Sequence, residues 1–274
     1  MDSYNKVEYL EKKAKELRKT IIEMIYHAQS GHPGGSLSIA DIVAALYFDE
    51  LNIDPKNPKW EDRDRVILSK GHVCPAIYGA LAMKEYFPYE EIYTLRKINS
   101  RLQGHPDMKK TPGLDMTTGS LGQGLSVGVG MAIAAKFDKK PYRTFVILGD
   151  GELQEGQVWE AAMSAAKYKL DNLIAFVDVN NLQVDGCCDD IMSVKPIVPK
   201  WKDFGWEVFE IDGHNMEAIV KTLEEIKNVK GKPICIVMNT IKGKGVSFME
   251  GVCKWHGQAP NTEEYNIAIE EIMR

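Results

Sequence analysis

The chain has 274 residues, of which 44% are hydrophobic and 27% charged, and its formal net charge at pH 7 is -5. This composition is ordinary for a globular protein and excludes a disordered or collagen-like chain. A mildly acidic chain lacks the basic surface of a nucleic-acid-binding protein, so no nucleic acid partner is expected. Anionic ligands must therefore be held by local groups and not by a global positive field.

Cysteine usage and hydropathy indicate where the protein acts. The 5 cysteines include no C-x-x-C pair, which is typical of reduced thiols in a cytosolic protein. Residues 1–18 contain no apolar stretch of the kind found in signal peptides, and no apolar run approaches the ~20 residues of a membrane span. We expect a cytoplasmic protein without a membrane segment, and we interpret the chain as a complete gene product.

The first two predicted elements are helices separated by a glycine-rich turn. Apolar residues at helical spacing predict a helix over residues 6–29. This helix should end at the segment 30–35, where glycine and proline forbid its continuation. Ser38 is predicted to cap a second helix over residues 39–51.

The rest of the chain alternates between strands and helices. In chain order, the sequence predicts a strand at 65–68, a helix at 76–83, an irregular segment at 99–120, a helix at 121–137, a strand at 144–148, a helix at 155–168, strands at 173–177 and 206–211, a helix at 216–226, a strand at 234–238 and a closing helix at 263–273. Near-continuous apolar strands separated by helices indicate a parallel sheet covered on both faces. We therefore predict an α/β fold with a doubly wound, mainly parallel sheet, forming a single domain over residues 1–274.

Three common functional motifs are absent or carry no function here. The sequence contains no complete G-x-G-x-x-G fingerprint and no phosphate-binding Walker sequence. A G-x-S-x-G match occurs at residues 124–128, but a nucleophile elbow needs a strand directly before the serine and none is predicted there. We interpret these small residues as part of a tightly packed helix.

Polar residues follow two strands that should be neighbours in the sheet. Gly149-Asp150-Gly151 ends the strand at 144–148, and Asn180-Asn181 ends the next strand. In an open parallel sheet, ligands bind at the carboxyl ends of the strands, so both clusters should meet there. A carboxylate, an amide oxygen and backbone carbonyls suit Mg²⁺, which completes its coordination with phosphate and water. The spacing therefore predicts a metal–diphosphate site.

The arrangement strand–GDG–helix–strand–NN resembles the thiamine diphosphate-binding motif. Further segments resemble the N-terminal domain of transketolase, and in chain order they cover nearly the whole sequence. They are SGHPG at 30–34, SKGH at 69–72, LQGHP at 102–106, TGSLGQG at 118–124, TIKG at 240–243 and WHG at 255–257.

The resemblance implies thiamine diphosphate and Mg²⁺ (or Ca²⁺) as cofactors and assigns roles to individual residues. The implied metal ligands are Asp150, Asn180 and the backbone carbonyl of Leu182. The implied cofactor-binding residues are His72, Gly119, Ser120, Leu121, Gly151, Asn180, Val184, Lys242 and His256. The implied catalytic residues, which would surround the reacting carbonyl and hydroxyls of a sugar and transfer protons, are His32, His105 and His256. His27 and His214 lie outside the matching segments, and we interpret both as structural.

The resemblance also implies a partner. Transketolases are more than twice as long as this chain, and in the family the absent domain carries the glutamate that activates the aminopyrimidine ring. This implies the N-terminal subunit of a split transketolase that works with a C-terminal subunit carrying the pyrimidine-binding domain, in an α2β2 heterotetramer. Its reaction would transfer a two-carbon ketol unit between sugar phosphates, as in the pentose phosphate pathway.

Two alternatives remain open from the sequence. One is another thiamine diphosphate enzyme, such as a 1-deoxyxylulose-5-phosphate synthase-like half or the alpha chain of a 2-oxo-acid dehydrogenase. The other is a non-catalytic regulatory subunit that keeps the fold. The histidine-rich loops and the retained Asp150 and Asn180 favour the transketolase interpretation.

Overall fold

A computed structural model of the chain describes residues 3–274, so Met1 and Asp2 lie outside the described residues. The α-helices are α1 Ser3–Ala28, α2 Pro33–Ser38, α3 Ala40–Ala45, α4 Cys74–Met83, α5 Gln123–Phe137, α6 Gly156–Lys167, α7 Cys188–Met192, α8 Ile197–Asp203, α9 Met216–Glu225 and α10 Thr262–Met273. The strands are β1 Arg65–Leu68, β2 Thr144–Gly149, β3 Leu173–Val179, β4 Glu207–Asp212 and β5 Ile234–Asn239.

The five strands form one sheet in the order β1-β2-β3-β5-β4, and every neighbouring pair is parallel. This confirms the predicted parallel sheet. β2 and β3 are direct neighbours, with Gly149 paired to Asp178, so their carboxyl ends lie side by side. β1 and β4 are the two edge strands. The residues of β4 are half-buried or exposed, whereas β1 is buried apart from Arg65.

Alternate residues of the strands pack into two separate apolar clusters, one on each face of the sheet. On β2, Phe145 and Ile147 join the cluster formed with α1, α3 and α4, whereas Val146 and Leu148 join the cluster formed with α5 and α6. Successive side chains of a strand point to opposite faces, so both faces of β2 are buried. The sheet is thus covered by helices on both faces, as predicted from the apolar runs.

The segment around residues 30–38 differs from the prediction. Residues 33–38 form the short helix α2, which begins at Pro33, so Ser38 ends this helix and does not cap the next one. Proline at the first helical turn is favourable because its fixed φ suits a helix and its missing N–H needs no partner. The glycine at 35 is required by packing, since a Cβ there would lie 2.6 Å from Val73 Cγ1.

Other differences are smaller. Residues 99–120 are irregular as expected. The 3-10 helix Tyr89–Thr94, which precedes them, and the short helices α7 and α8 have no counterpart in the prediction. The G-x-S-x-G match lies within α5 and follows no strand, as interpreted. Within residues 3–274, no helix is both long and apolar enough to cross a membrane.

Candidate functional site

A cavity of about 410 Å³ lies at the carboxyl ends of β2 and β3. Its size falls within the range of roughly 300–1,000 Å³ that is usual for ligand sites. All the site residues expected from the sequence except His105 and Ser120 line this cavity, namely His32, His72, Gly119, Leu121, Asp150, Gly151, Asn180, Leu182, Val184, Lys242 and His256. Their sequence positions are far apart, so the fold alone brings them together.

Asp150 contributes the carboxylate at the base of the cavity. Its Oδ1 accepts a hydrogen bond from Gly151 N at 2.8 Å, and its Oδ2 accepts one from Asn181 N at 2.5 Å. Burial, together with the charge of nearby Asp178, raises the pKa of Asp150 above its usual value. A buried carboxylate held in this way is stabilised by an adjacent cation, because a positive charge offsets the cost of burying the negative one.

The amide of Asn180 is held in one orientation. Asn180 Nδ2 donates to Asp178 Oδ2 at 2.8 Å, and Asn180 Oδ1 accepts from Leu182 N at 3.1 Å. Because the amide nitrogen faces Asp178, the oxygen is turned to the other side, toward the turn that carries Leu182. Such hydrogen bonds to the groups around a metal site orient the ligand atoms.

The carbonyl of Leu182 already has a cationic neighbour. Lys242 Nζ donates to Leu182 O at 2.9 Å and lies 2.8 Å from His256 Nδ1. Burial lowers the pKa of Lys242 to about 8, and the charge of Lys70 acts in the same direction. The ammonium group therefore lies beside the Leu182 carbonyl oxygen, which the family resemblance assigns to a metal ion. This contact indicates that the carbonyl oxygen attracts positive charge.

The donor set fits Mg²⁺ or Ca²⁺ bound together with a diphosphate. It consists of one carboxylate, one amide oxygen and one backbone carbonyl, which are hard oxygen ligands. Among residues 3–274, no group of three or more His, Cys, Asp or Glu side chains could hold a metal ion. A cation at this site would therefore need further oxygens from phosphate and water, as Mg²⁺ usually does.

Three imidazole rings form a cluster on one wall of the cavity. The ring centroids of His32 and His72 are 5.1 Å apart, those of His72 and His256 are 5.1 Å apart, and those of His32 and His256 are 5.5 Å apart. His32 Nδ1 is buried and has no hydrogen-bond partner among the described residues. A buried polar atom without a partner suggests that this nitrogen meets a ligand or an ordered water.

The environment of these rings favours their neutral forms. Burial is the largest cause, and it lowers the pKa of His32 to about 4, of His256 to about 3 and of His72 to about 2. The positive charge of Arg96 adds to the shift at His32, and that of Lys242 adds to the shift at His256. At neutral pH all three imidazoles are therefore uncharged, and each has a ring nitrogen that can accept a hydrogen bond.

His105 and Ser120 lie outside the cavity wall. The His105 ring lies 3.7 Å from the point where a Cβ of Gly119 would stand, and burial and the charge of Arg96 lower its pKa. Ser120 is exposed and follows Gly119 directly. The structure thus brings His105 to the rim beside Gly119, while Ser120 remains on the surface.

Sequence reasoning missed a buried ion pair beneath the cavity. Lys70 Nζ lies 2.5 Å from Asp178 Oδ2, and Asp178 also accepts hydrogen bonds from Ser38 Oγ at 2.6 Å and Thr240 Oγ1 at 2.5 Å. Burial acts to raise the pKa of Asp178, but the charge of Lys70 and the hydrogen bonds from Lys70, Ser38 and Thr240 together outweigh it and lower the pKa below its usual value. The signal that could have indicated this group is Asp178 itself, which is a charged residue within the apolar strand β3.

Comparison with known proteins identifies the family. Residues 10–271 match the family described as transketolase, thiamine diphosphate binding domain. The chain is 50% identical over 265 residues to a 6-deoxy-6-sulfo-D-fructose transketolase subunit of Clostridium sp. (strain MSTE9), covering 97% of this chain and 96% of the relative. It is 46% identical to an apulose-4-phosphate transketolase subunit of Phocaeicola vulgatus, covering 97% of this chain and 94% of the relative.

A solved structure gives the same result. The chain superposes on transketolase from Leishmania mexicana with a TM-score of 0.92 at 33% identity, covering 97% of this chain and 41% of that protein. The expected fold and the expected family are therefore both confirmed, and the chain matches less than half of that longer transketolase. This chain belongs to the transketolase family, and its residues 10–271 correspond to the family's thiamine diphosphate binding domain.

Proposed function

We propose that this chain is the cofactor-binding subunit of a two-chain transketolase and that it holds thiamine diphosphate through a divalent cation. The proposal is supported mainly by the convergence of Asp150, Asn180 and Leu182 with the three neutral histidines in one cavity. Relatives that match almost end to end are named as transketolase subunits, which supports a separate partner chain.

The diphosphate end of the cofactor would lie at the strand tips. Asp150 Oδ, Asn180 Oδ1 and Leu182 O would bind Mg²⁺ (or Ca²⁺), and the metal would bind the diphosphate. The residues that would face the diphosphate are Gly151, His72, His256 and Lys242. Gly119 and Leu121 would meet the aminopyrimidine, and Val184 would pack against the thiazolium. Val184 is 64% exposed, so an apolar ring would cover a side chain that otherwise faces solvent.

When bound, thiamine diphosphate would supply a nucleophilic carbon that takes up a two-carbon ketol unit from a ketose and passes it to an aldose. The protein would contribute orientation and proton transfer. His32, His105 and His256 would face the sugar hydroxyls and take part in proton transfer, and their lowered pKa values mean that the rings are neutral hydrogen-bond acceptors at pH 7 before a ligand binds. The unpartnered Nδ1 of His32 supports contact with a ligand at this ring.

The charges around the site also bear on the substrates that we propose. Arg96 places a positive charge near His32 and His105, and this suits a sugar that carries an anionic group such as phosphate. We propose that a C-terminal subunit carrying the pyrimidine-binding domain completes the cavity in an α2β2 assembly. We also propose that residues 1–274 form one domain that acts in the cytoplasm, where its free cysteines remain reduced.

The decisive experiment measures ketol transfer to ribose 5-phosphate with Mg²⁺ and thiamine diphosphate. The donors would be a panel of ketose phosphates and 6-deoxy-6-sulfofructose. This chain, the product of a neighbouring gene and the mixture of both should be assayed separately. We expect turnover only in the mixture, because in our proposal the partner subunit supplies the domain that activates the aminopyrimidine. Substantial turnover by this chain alone would contradict the two-chain proposal.

A further inference from the structure

His214 lies outside every segment that resembles the family motifs, yet it contacts the loop that carries Lys242. It follows β4, where Gly213 N donates to Asn239 O at 2.8 Å. The two chain segments approach so closely that a Cβ at Gly213 would lie 2.5 Å from Thr240 Cγ2. A glycine at 213 therefore allows the His214 ring to stand directly beside the end of β5.

The His214 ring bridges two elements of the fold. Its Nε2 accepts a hydrogen bond from the backbone N–H of Ile241 at 2.8 Å, and its Nδ1 lies 2.7 Å from Asp41 Oδ2. Because a backbone N–H can only donate, Nε2 must carry the lone pair. The ring proton therefore lies on Nδ1 and is donated to Asp41, so both ring nitrogens are engaged and the orientation of the ring is fixed.

Asp41 is itself held in place. Arg18 Nη1 donates to Asp41 Oδ1 at 3.0 Å, and Arg18 Nη2 donates to the other carboxylate oxygen. Burial acts to raise the pKa of Asp41, but the charge of Arg18 and the hydrogen bonds from His214 and Arg18 outweigh it and lower the pKa. The carboxylate on α3 is thus a rigid acceptor, and it orients His214 from the side opposite Ile241.

Ile241 is the residue directly before Lys242. On its other side, Thr240 is anchored through Oγ1 to buried Asp178. The segment 240–242 is also held by two backbone hydrogen bonds, from Thr240 N to Val179 O at 3.1 Å and from Gly251 N to Lys242 O at 2.9 Å. His214 adds the side-chain contact that holds the Ile241 amide. Beyond these contacts the Lys242 side chain extends to Leu182 O and His256 Nδ1.

We propose that His214 is a positioning residue that fixes the 240–242 segment and thereby holds the Lys242 ammonium against the diphosphate position. The inference rests on the proposed function, because it takes Lys242 to meet a diphosphate ester bound with a divalent cation. His214 does not line the cavity, so its effect on binding must pass through the segment that it holds.

The test is a double-mutant cycle on the full chain, read by calorimetric titration with thiamine diphosphate at saturating Mg²⁺. His214→Phe keeps the ring volume and removes both hydrogen bonds, and we expect it to raise Kd roughly tenfold. His214→Gln can still offer a donor and an acceptor, and it should recover part of this loss. His27→Phe is the matched control, because His27 is exposed on α1, and it should leave Kd unchanged.

Measuring how the effect of His214→Phe on Kd depends on Lys242 distinguishes a positioning role of His214 from a general structural role. In a Lys242→Met background, His214→Phe should cause little further loss, because the group that it positions is gone. An equal loss in both backgrounds, or an unchanged Kd in His214→Phe or in Lys242→Met, would overturn the proposal. If His214→Phe does not fold, the same double-mutant cycle with His214→Gln tests the proposal.

Hydrogen exchange of the ligand-free chain provides a second readout. His214→Phe should speed exchange at the Ile241 amide while the amides within β5 keep their protection, and unchanged exchange would overturn the proposal. If neither the wild-type chain nor its complex with the partner subunit binds thiamine diphosphate with Mg²⁺, it is the proposed function that fails. The exchange result then still decides whether His214 holds the 240–242 segment.

Discussion

Lys70 and Asp178 form an ion pair beneath the candidate site, with 2.5 Å between Nζ and Oδ2 and side chains that are 4% and 0% exposed. Lys70 follows β1 and Asp178 lies in β3, so the pair joins two strands that are not neighbours in the sheet. The same carboxylate accepts a hydrogen bond from the amide of Asn180. The stability of the fold and the orientation of a proposed metal ligand therefore depend on one side chain.

Asp178→Asn should lower the free energy of unfolding by about 3 kcal/mol, because it leaves the Lys70 charge buried without its partner. It should also weaken Mg²⁺-dependent binding of thiamine diphosphate, since the Asn180 amide loses its acceptor. Guanidinium unfolding and calorimetric titration measure the two effects. Asp171→Asn is the control, because Asp171 pairs with Lys136 at a more exposed position and its loss should cost less than about 1 kcal/mol. Equal costs in the two variants would contradict this prediction.

Asp150→Asn should weaken the binding of thiamine diphosphate strongly while it changes the stability of the fold little. Burial raises the pKa of Asp150, so removing the charge relieves part of the cost of burying it. The amide can accept from only one of the two backbone N–H groups that the carboxylate holds, so we expect the free energy of unfolding to fall by no more than about 1 kcal/mol. Mg²⁺-dependent affinity for thiamine diphosphate should fall by roughly 100-fold, the upper range of losses when groups around a metal site are removed.

Asp185→Asn is the matched control for this variant, because Asp185 also borders the cavity but is exposed. It removes the same charge at the mouth of the site and should change the affinity little. Retention of full Mg²⁺-dependent affinity in Asp150→Asn would remove Asp150 from the metal site.

The cofactor-free protein should lose stability as the pH falls from about 6.5 to about 4. His32 and His256 have folded-state pKa values of about 4 and 3, below the unfolded value of 6.5. Over this window the unfolded chain binds protons that the folded chain excludes, so the free energy of unfolding rises with pH and is lost on acidification. Urea unfolding at a series of pH values measures the slope. His72 has a folded-state pKa of about 2, so replacing it with Gln should reduce the slope of the free energy of unfolding against pH. An unchanged slope would contradict the lowered pKa of His72.

Arg96→Met should raise the pKa of His32 part of the way toward 6.5. Burial is the larger cause of the low pKa and would remain, while the repulsion from the guanidinium would be removed. Proton NMR titration of the imidazole signals measures the shift. Arg101→Met is the control, because Arg101 is also partly exposed but pairs with Glu91. A His32 pKa that does not change in Arg96→Met would show that Arg96 has no electrostatic effect at this ring.

The sheet and the position of the site could be predicted because both depend on local patterns. The apolar runs at β2 and β3 fix two buried strands, and the helix between them makes the strands parallel and adjacent. Asp150 and Asn180 follow the two strands directly, so they must meet at the same edge. The glycine and histidine segments needed the family resemblance, since no rule of periodicity brings His32, His72 and His256 together.

What the sequence did not predict depends on long-range packing. The helix at Pro33–Ser38 forms where local propensity indicates a turn, because the contacts of its buried residues outweigh the glycines. The partners of Lys70 and His214 lie far away in the chain, and a single lysine or histidine gives no sign of which carboxylate it meets. For His105 the opposite holds. Its segment, LQGHP at 102–106, resembles the family, yet its side chain lies at the rim of the cavity and does not line it.

The contact between Lys242 Nζ and Leu182 O has a consequence for how the site is loaded. The Lys242 ammonium keeps the Leu182 carbonyl pointing into the cavity in the absence of a metal ion. The loop that carries Leu182 would therefore not need to rearrange to present this oxygen to a metal ion. A divalent cation at the proposed metal site would share this carbonyl with the lysine or take its place. Loading the site would then exchange one positive charge for another at the same oxygen.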